Sequence, residues 1–203
     1  MPSFSDKLAR RAVLRTGGRL LAGFAAARLA PRADASEVVT IRMRSVDGGA
    51  HVRFDPIGVL VRPGATIRWV IDSDVHTATA YHPDNDRHAL RIPEAAAPWD
   101  SGYLVDPGDA FETTLTVEGV YDYFCAPHEL AGMVGRIVVG APGGPGALPF
   151  DYFKGDPDKA AWKSVPPAAR AAFPSVEQIL RRGRLRKAMT AGRPRRVAGI
   201  GRS

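Results

Sequence analysis

Short segments of alternating apolar and polar residues, separated by turn-forming residues, fill the chain between residues 36 and 140. The alternation is clear over residues 39–43, 67–71 and 111–117, and Pro63-Gly64 supplies one of the turns between such segments. A period of two residues is typical of strands that bury one face. Several short strands with turn signals between them predict an all-β sandwich, here as a single domain with its own core.

The residues on either side of this region differ from it in charge. Residues 1–35 carry seven Lys and Arg against two acidic residues, residues 36–140 carry eight against fifteen, and residues 141–203 carry thirteen against four. The formal net charge of +7 therefore conceals an acidic domain between two basic ends. Because the excess of basic residues lies in the two ends and not in the domain, we predict no nucleic-acid binding.

The N-terminus has the features of an export signal. Arg10-Arg11 resembles a twin-arginine motif, an apolar stretch follows from Leu20 to Ala27, and Ala33-Asp34-Ala35 fits a cleavage site. The apolar stretch is too short to span a bilayer. We expect residues 1–35 to be a twin-arginine-type signal peptide and the mature protein, from Ser36, to be periplasmic in a bacterium. A retained amphipathic helix is the alternative.

Cys125, the only cysteine, lies in a short segment that also contains a histidine and a methionine. His128 follows it by three residues and Met133 by eight, with Pro127 and Gly132 as turn residues. One cysteine cannot close an internal disulfide, although an exported protein meets an oxidising compartment. A thiolate, an imidazole and a weak thioether in one tight loop suit a type 1 copper site that has a second imidazole. A buried, inert thiol is the alternative.

The second imidazole has to come from another part of the chain. His76 follows the strand predicted over 67–71, so it lies at a strand end where it can meet the loop. The competing candidates are His51, which we expect to point outward from a strand, and His82 and His88, which we expect to be solvated in an irregular segment. The predicted metal and cofactor ligands are His76, Cys125, His128 and Met133.

After residue 140 the composition changes. Residues 141–146 are rich in Gly and Pro, which predicts a linker. Asp156-Pro157 fits the start of a short helix, and Ser175 with Gln178 fits a capping box. We therefore expect residues 141–203 to be a linker and a basic tail that is partly helical or disordered.

The end of this tail is its most basic part. Residues 175–203 carry nine Lys and Arg against one glutamate, while the domain before them is acidic. Attraction between opposite charges leaves two possibilities for these residues. They fold back on their own domain, or they reach an acidic partner or an anionic membrane surface.

Over residues 38–140 the chain resembles the plastocyanin–pseudoazurin branch of the cupredoxin family. The resemblance rests on Phe54-Asp55-Pro56, the Pro63-Gly64 turn, a Trp-bearing strand before His76, Gly119-Val120-Tyr121 and the loop from Cys125 to Met133. It implies a Greek-key β-sandwich of about eight strands that holds one copper ion near one end. One position departs from the family, since Thr77 stands where an Asn that braces the loop is common. A backbone N–H at this position can still donate to the thiolate sulfur.

The resemblance also implies a function. Such proteins carry single electrons between redox partners, here a c-type cytochrome or a periplasmic oxidoreductase, and they are not enzymes. By the same resemblance, His128 is the ligand whose ring edge reaches the surface. A periplasmic copper-binding or delivery protein is the alternative, although such proteins more often use Met-rich or His-rich sites and this chain has only four methionines.

Overall fold

The computed structural model describes residues 37–47, 49 and 51–186. The predicted signal peptide, residues 1–35, and the end of the basic tail, residues 187–203, lie outside the described residues. The strands within the described part are β1 (Val38–Val46), β2 (His51–Asp55), β3 (Gly58–Val61), β4 (Ala65–Ile71), β5 (Thr79–Ala80), β6 (Ala110–Leu115), β7 (Gly119–Phe124), β8 (Val134–Val139) and β9 (Arg184–Leu185). The α-helices are α1 (Pro167–Ala172) and α2 (Val176–Arg182), and 3₁₀ helices cover Ala126–Ala131, Pro145–Ala147 and Pro157–Lys159.

The strands form two sheets, in the orders β2-β1-β4-β6 and β5-β7-β8-β3-β9. β1 runs parallel to β4 and β3 parallel to β8, while the other pairs are antiparallel. In β1 the alternate residues Val39, Ile41 and Met43 are buried against the second sheet, as a period of two requires. The predicted Greek-key β-sandwich with a helical C-terminal extension is confirmed.

The central strands β7 and β8 are buried on both faces. Alternation in β8 turns Ile137 toward the sandwich core, whereas Val138 packs with Ile179 of α2 and Leu185 of β9 on the outer face. At Gly58 a Cβ atom would lie 2.9 Å from Cγ1 of Ile179, so glycine is what allows α2 to approach this closely. The extension therefore completes the fold by covering a sheet face that would otherwise expose apolar side chains.

The Gly/Pro-rich segment between the sandwich and the extension is packed, although its composition predicts a linker. Pro145 and Gly146 are buried. A Cβ atom on Gly146 would lie 2.3 Å from the carbonyl oxygen of Val120 and 2.7 Å from that of Arg91. Glycine here permits backbone-to-backbone contact, a use that composition alone does not distinguish from flexibility.

Both helix starts predicted in the extension are confirmed. The Asp156 side chain accepts a hydrogen bond from the Asp158 amide at the start of a 3₁₀ helix. Ser175 and Gln178 form a reciprocal capping box at the start of α2. The sequence predicts both helix starts because the residues that form each cap are only two or three positions apart.

A buried ionic cluster connects the sandwich to the extension. Asp122 on β7 is 0% exposed and accepts hydrogen bonds from Arg91 Nε at 3.1 Å and from Arg136 Nε at 2.6 Å. Arg91 also donates to the carbonyl oxygens of Pro145, Gly146, Leu148 and Pro149. Arg136 donates to the carbonyl of Pro174. Because buried charges are tolerated only when they are paired and hydrogen-bonded, the extension supplies acceptors that the sandwich lacks.

We expect Asp122→Asn to lower the free energy of unfolding by about 3 kcal/mol, because it leaves two buried guanidinium groups without a counter-charge. Urea denaturation of the metal-free protein measures this loss. The matched control is Glu177→Gln, which removes a carboxylate from an exposed pair with Arg181 and should cost less than about 0.5 kcal/mol. Equal effects of the two substitutions would mean that the ionic cluster contributes no more than a surface pair.

Candidate metal centre

The loop between β7 and β8 is closed by backbone hydrogen bonds. The pairing of Phe124 with Val134 continues by one step, because the Cys125 amide donates to the Met133 carbonyl at 3.0 Å. Inside the loop, the His128 amide donates to the Cys125 carbonyl at 3.0 Å and the Met133 amide to the His128 carbonyl at 3.1 Å. Gly132 ends the loop with a φ of +78°, a conformation that favours glycine. Antiparallel pairing thus places Cys125 and Met133 side by side.

His76 reaches the same place from the neighbouring sheet. It follows β4, and its backbone pairs with Leu104 through hydrogen bonds of 3.1 and 2.9 Å. Its Nδ1 atom lies 3.5 Å from Cys125 Sγ, and His128 Nδ1 lies 3.4 Å from the same sulfur. The donor atoms of His76, Cys125 and His128 all lie within 4.8 Å of one another. One soft thiolate donor and two imidazoles at this spacing fit a single copper ion.

The four predicted ligand residues differ in their access to solvent. His76, Cys125 and Met133 are 0% exposed, whereas His128 is half-buried. Met133 belongs to the same apolar cluster as Cys125. The structure therefore brings all four residues to one end of the sandwich, with His128 alone partly open to solvent.

Burial and hydrogen bonding set the protonation of the metal-free site. Burial, followed by the proximity of His128, lowers the pKa of His76 to about 4, so the ring is neutral at pH 7. Its Nε2 lies 3.3 Å from the Ser45 hydroxyl, and the tautomer in which Nε2 donates to that hydroxyl leaves the Nδ1 lone pair facing the sulfur. Burial raises the pKa of Cys125 to about 11, so a metal has to displace the thiol proton. Ser45 lies on β1 and carried no sequence signal.

Thr77 contacts the loop through both its backbone and its side chain. Its amide donates to Cys125 Sγ at 3.4 Å, as expected for the residue after the first histidine. Its hydroxyl accepts a hydrogen bond from the Ala126 amide at 2.8 Å. Thr77 therefore supplies a side-chain brace to the residue that follows the cysteine, although Asn is absent from this position.

The remaining histidines within the described part of the chain stay outside this group. His51 is exposed, as predicted. The expectation that His88 is solvated is wrong, because it is 7% exposed and its ring centroid lies 4.4 Å from that of Phe124. Its Nε2 lies 3.3 Å from the Glu129 carboxylate, and the Tyr81 hydroxyl donates to the same carboxylate at 2.7 Å. Partners more than 40 residues apart gave the sequence no local sign of this cluster.

Known proteins resemble the chain over the same region. The sequence profile described as "Copper binding proteins, plastocyanin/azurin family" matches residues 41–140. Plastocyanin from Scenedesmus fuscus is 34% identical over 101 residues, which cover 50% of this chain and 98% of the relative. Chloroplastic plastocyanin from Oryza sativa subsp. indica is 32% identical over 123 residues, 61% of this chain and 75% of the relative. A solved pseudoazurin from Sinorhizobium is 27% identical with a TM-score of 0.47, and the match covers 67% of this chain and 90% of that one.

The C-terminal extension also contacts the metal-centre loop. A Cβ atom on Gly132 would lie 3.1 Å from the carbonyl oxygen of Ala168 and 3.3 Å from Cβ of Ala172, both in α1. Around this contact, α1 residue Ala169 packs in one cluster with Phe124 and Val134, the residues that flank the loop. The loop is therefore held from the side by α1.

We expect Gly132→Ala to lower the free energy of unfolding by roughly 2 kcal/mol, from a left-handed backbone strain of about 1 kcal/mol and the loss of close packing against α1. Denaturant unfolding of the metal-free protein measures the loss. Gly155→Ala is the control, because that glycine also has positive φ, +90°, but a Cβ atom there would meet nothing within 4 Å. If both variants lose the same amount, the contact with α1 contributes nothing.

Proposed function

This chain belongs to the plastocyanin/azurin family of copper-binding proteins, and we propose on that premise that it carries single electrons between redox partners as a mononuclear type 1 copper protein. The observation that carries the proposal is the buried donor group with one partly open edge. Three donor atoms lie within 4.8 Å of one another, and only His128 among the predicted ligand residues reaches solvent. A closed donor set leaves no position for a substrate, which is why we infer a carrier and not an enzyme.

We infer that the copper ligands are His76, Cys125, His128 and Met133. The distances among the first three residues support them as a trigonal set. Met133 is inferred as the weak axial ligand from its burial in the same cluster and from its backbone pairing with Cys125. When bound, copper supplies a one-electron couple between Cu(II) and Cu(I).

The protein's own residues would determine how easily that couple turns over. The closed β7–β8 loop and the pairing of His76 with Leu104 fix the donors before metal arrives, so little rearrangement is needed between oxidation states. His128 would provide the edge at which electrons enter and leave. The exposed residues around it are Ala126, Pro127, Leu130 and Ala131, and Leu130 is 79% exposed. Small and apolar side chains would let a partner approach this edge closely.

We further propose that the protein is exported to a bacterial periplasm and exchanges electrons with a c-type cytochrome or a periplasmic oxidoreductase there. The order of Arg10-Arg11, apolar stretch and Ala33-Asp34-Ala35 supports export. Within residues 37–47, 49 and 51–186, every helix is too short or too polar to cross a bilayer. The proposed boundaries are residues 1–35 for the signal, 36–140 for the cupredoxin domain and 141–203 for the extension.

Part of the basic tail packs against the cupredoxin domain of the same chain. Ile179 and Leu185 are buried against β3 and β8, so this portion of residues 175–203 folds back, which was one of the two possibilities. Arg181 and Arg182 remain exposed on α2. We propose that these two arginines, together with the basic residues of the sequence beyond residue 186, are the part that can contact an acidic partner or an anionic membrane surface.

Copper delivery is the competing function, and it differs from electron transfer in kinetics. A delivery site has to release its ion to an acceptor, whereas a carrier has to retain it through many oxidation cycles. Repeated voltammetric cycling in the presence of a copper chelator separates the two. Retention of copper, with reversible one-electron waves and exchange with a c-type cytochrome, supports the carrier, and loss of copper within a few cycles contradicts it.

We expect Cys125→Ser to abolish the intense visible absorption of the copper-loaded protein, because only the thiolate provides the covalent charge-transfer transition. Copper affinity should fall by more than the roughly 10- to 100-fold that loss of an outer-sphere partner costs. Visible spectroscopy and copper titration measure both effects, and circular dichroism checks that the variant folds. A folded Cys125→Ser protein that stays blue would contradict the assignment.

Substitution of Met133 tests the axial position. We expect Met133→Leu to keep copper bound and raise the reduction potential, because a weak ligand that favours Cu(II) is lost, and Met133→Gln to lower it. Voltammetry measures both shifts. Met43→Leu is the matched control, since Met43 is equally buried but lies on β1, and its potential should stay at the wild-type value. Unchanged potentials in both Met133 variants would remove Met133 from the ligand set.

A further inference from the structure

Three side chains form a continuous hydrogen-bonded chain that runs from solvent to the metal-centre loop. Asp100 Oδ1 accepts a hydrogen bond from the Thr79 hydroxyl at 2.9 Å. The hydroxyl oxygens of Thr79 and Thr77 lie 3.0 Å apart, and the Thr77 hydroxyl accepts from the Ala126 amide at 2.8 Å. Thr77 and Thr79 are 2% and 4% exposed, whereas Asp100 is at the surface.

The direction of every hydrogen bond in this chain is determined by its two ends. A hydroxyl has one hydrogen to donate, and an ionised carboxylate has none. Thr79 therefore donates to Asp100 and has to accept from Thr77. Thr77 has then used its hydrogen, so its oxygen can only accept, and it faces the amide of Ala126. Aligned hydrogen bonds of this kind polarise and strengthen one another.

Thr77 connects this chain of hydrogen bonds to the cysteine and its neighbour at two points. Its own amide donates to Cys125 Sγ at 3.4 Å, and its hydroxyl holds the peptide that follows Cys125. A rotation of the Thr77 side chain would release the Ala126 amide and loosen the segment that donates to sulfur. The rotamer of Thr77 is in turn fixed by Thr79, whose hydroxyl has one acceptor, the carboxylate, on its far side.

Asp100 is well placed to anchor this chain. Its backbone forms an isolated β-bridge with Thr79, and its Oδ1 atom also accepts a hydrogen bond from the Gly102 amide at 3.0 Å. Next to it, Ser101 accepts a hydrogen bond from the Ala78 amide at 2.8 Å. The carboxylate is therefore held in place independently of the threonine hydroxyls.

We propose that Thr79 and Asp100 are positioning residues that act through Thr77 to fix Ala126 and the Cys125 sulfur. The proposal deepens the proposed function and rests on it only in that Cys125 is a metal ligand. The hydrogen bonds themselves can be tested in the metal-free protein.

The first experiment measures hydrogen exchange of the Ala126 amide by NMR in the metal-free protein. Removal of its acceptor in Thr77→Val should speed exchange about tenfold, the value expected for loss of one hydrogen bond. Thr79→Val and Asp100→Ala should each speed it several-fold, although neither residue touches Ala126. Thr79→Ser restores the hydroxyl and should return exchange to the wild-type rate.

A matched control is available in the other sheet. Thr66 and Thr114 also share a hydroxyl–hydroxyl hydrogen bond, 2.9 Å long, between β4 and β6. Thr114→Val removes it without touching the metal-centre loop, and it should leave Ala126 exchange within twofold of the wild type. An equal acceleration in this control would show that the assay reports general loosening, and it would overturn the proposal.

The second experiment measures the visible absorption band of the copper-loaded variants. Thr77→Val should shift the thiolate band, and Thr79→Val and Asp100→Ala should shift it in the same direction by less. The double variant Thr77→Val/Asp100→Ala should shift it no further than Thr77→Val alone, because residues in one chain of contacts are not additive. An additive shift would mean that Asp100 acts by its charge and not through Thr77.

The outcomes separate this proposal from the proposed function. If Thr79→Val and Asp100→Ala leave Ala126 exchange unchanged while Thr77→Val accelerates it, Thr77 acts alone and the proposal is wrong. Asp100→Ala keeps this test decisive if a buried valine at position 79 impairs folding, since Asp100 is exposed. If the exchange rates change as expected but the loaded protein has no blue band, the positioning chain stands and the type 1 copper assignment fails.

Discussion

The hydrogen bond from the Cys125 amide to the Met133 carbonyl is the constraint on which the metal centre depends. At 3.0 Å it extends the β7–β8 pairing one step beyond the strands, so the intervening residues have to turn back within a short loop. That turn points His128 at the Cys125 sulfur, 3.4 Å away. The β2-β1-β4-β6 sheet adds only His76, which follows the end of β4. The donor group thus follows from strand register, which the paired backbone fixes before any metal is present.

The extension does more than lengthen the domain. Asp122 lies at the centre of an ionic cluster whose outer hydrogen bonds all go to backbone carbonyls of the extension, at Pro145 to Pro149 and at Pro174. Two guanidinium groups cannot be satisfied by one carboxylate, so these carbonyls are required for the cluster to be buried at all. Between the two anchored segments, α1 is held against Gly132. The ionic cluster and the metal-centre loop are therefore coupled through the same stretch of chain.

The sequence predicted the parts that depend on local patterns. The sandwich followed from alternation, the capping box at Ser175 from residues three apart, and the donor loop from the spacing of Cys125, His128 and Met133. The parts it did not predict depend on distant pairs. The packing of Gly146 against Val120, the burial of His88 by Glu129 and the hydrogen bond between Ser45 and His76 join residues 26 or more positions apart. None of these pairs produces a periodicity or a motif, so only the folded chain brings them together.

The metal-centre loop has to be both exposed and rigid, and hydrogen bonds from polar side chains, here called polar anchors, make this possible. The proposed carrier needs the loop at the surface, where Leu130 is 79% exposed, yet burial cannot then hold it rigid. Side chains from the irregular segment after β5 replace burial at the start and in the middle of the loop. Near its start, Asp100 acts on Ala126 through two threonines. In its middle, Tyr81 and His88 bind the Glu129 carboxylate beside His128. Both anchors bind atoms of the loop while Leu130 stays exposed, so the ligand backbone is held without burial of the apolar surface. An apolar surface held by polar hydrogen bonds would let a redox partner approach closely without loosening the donor residues.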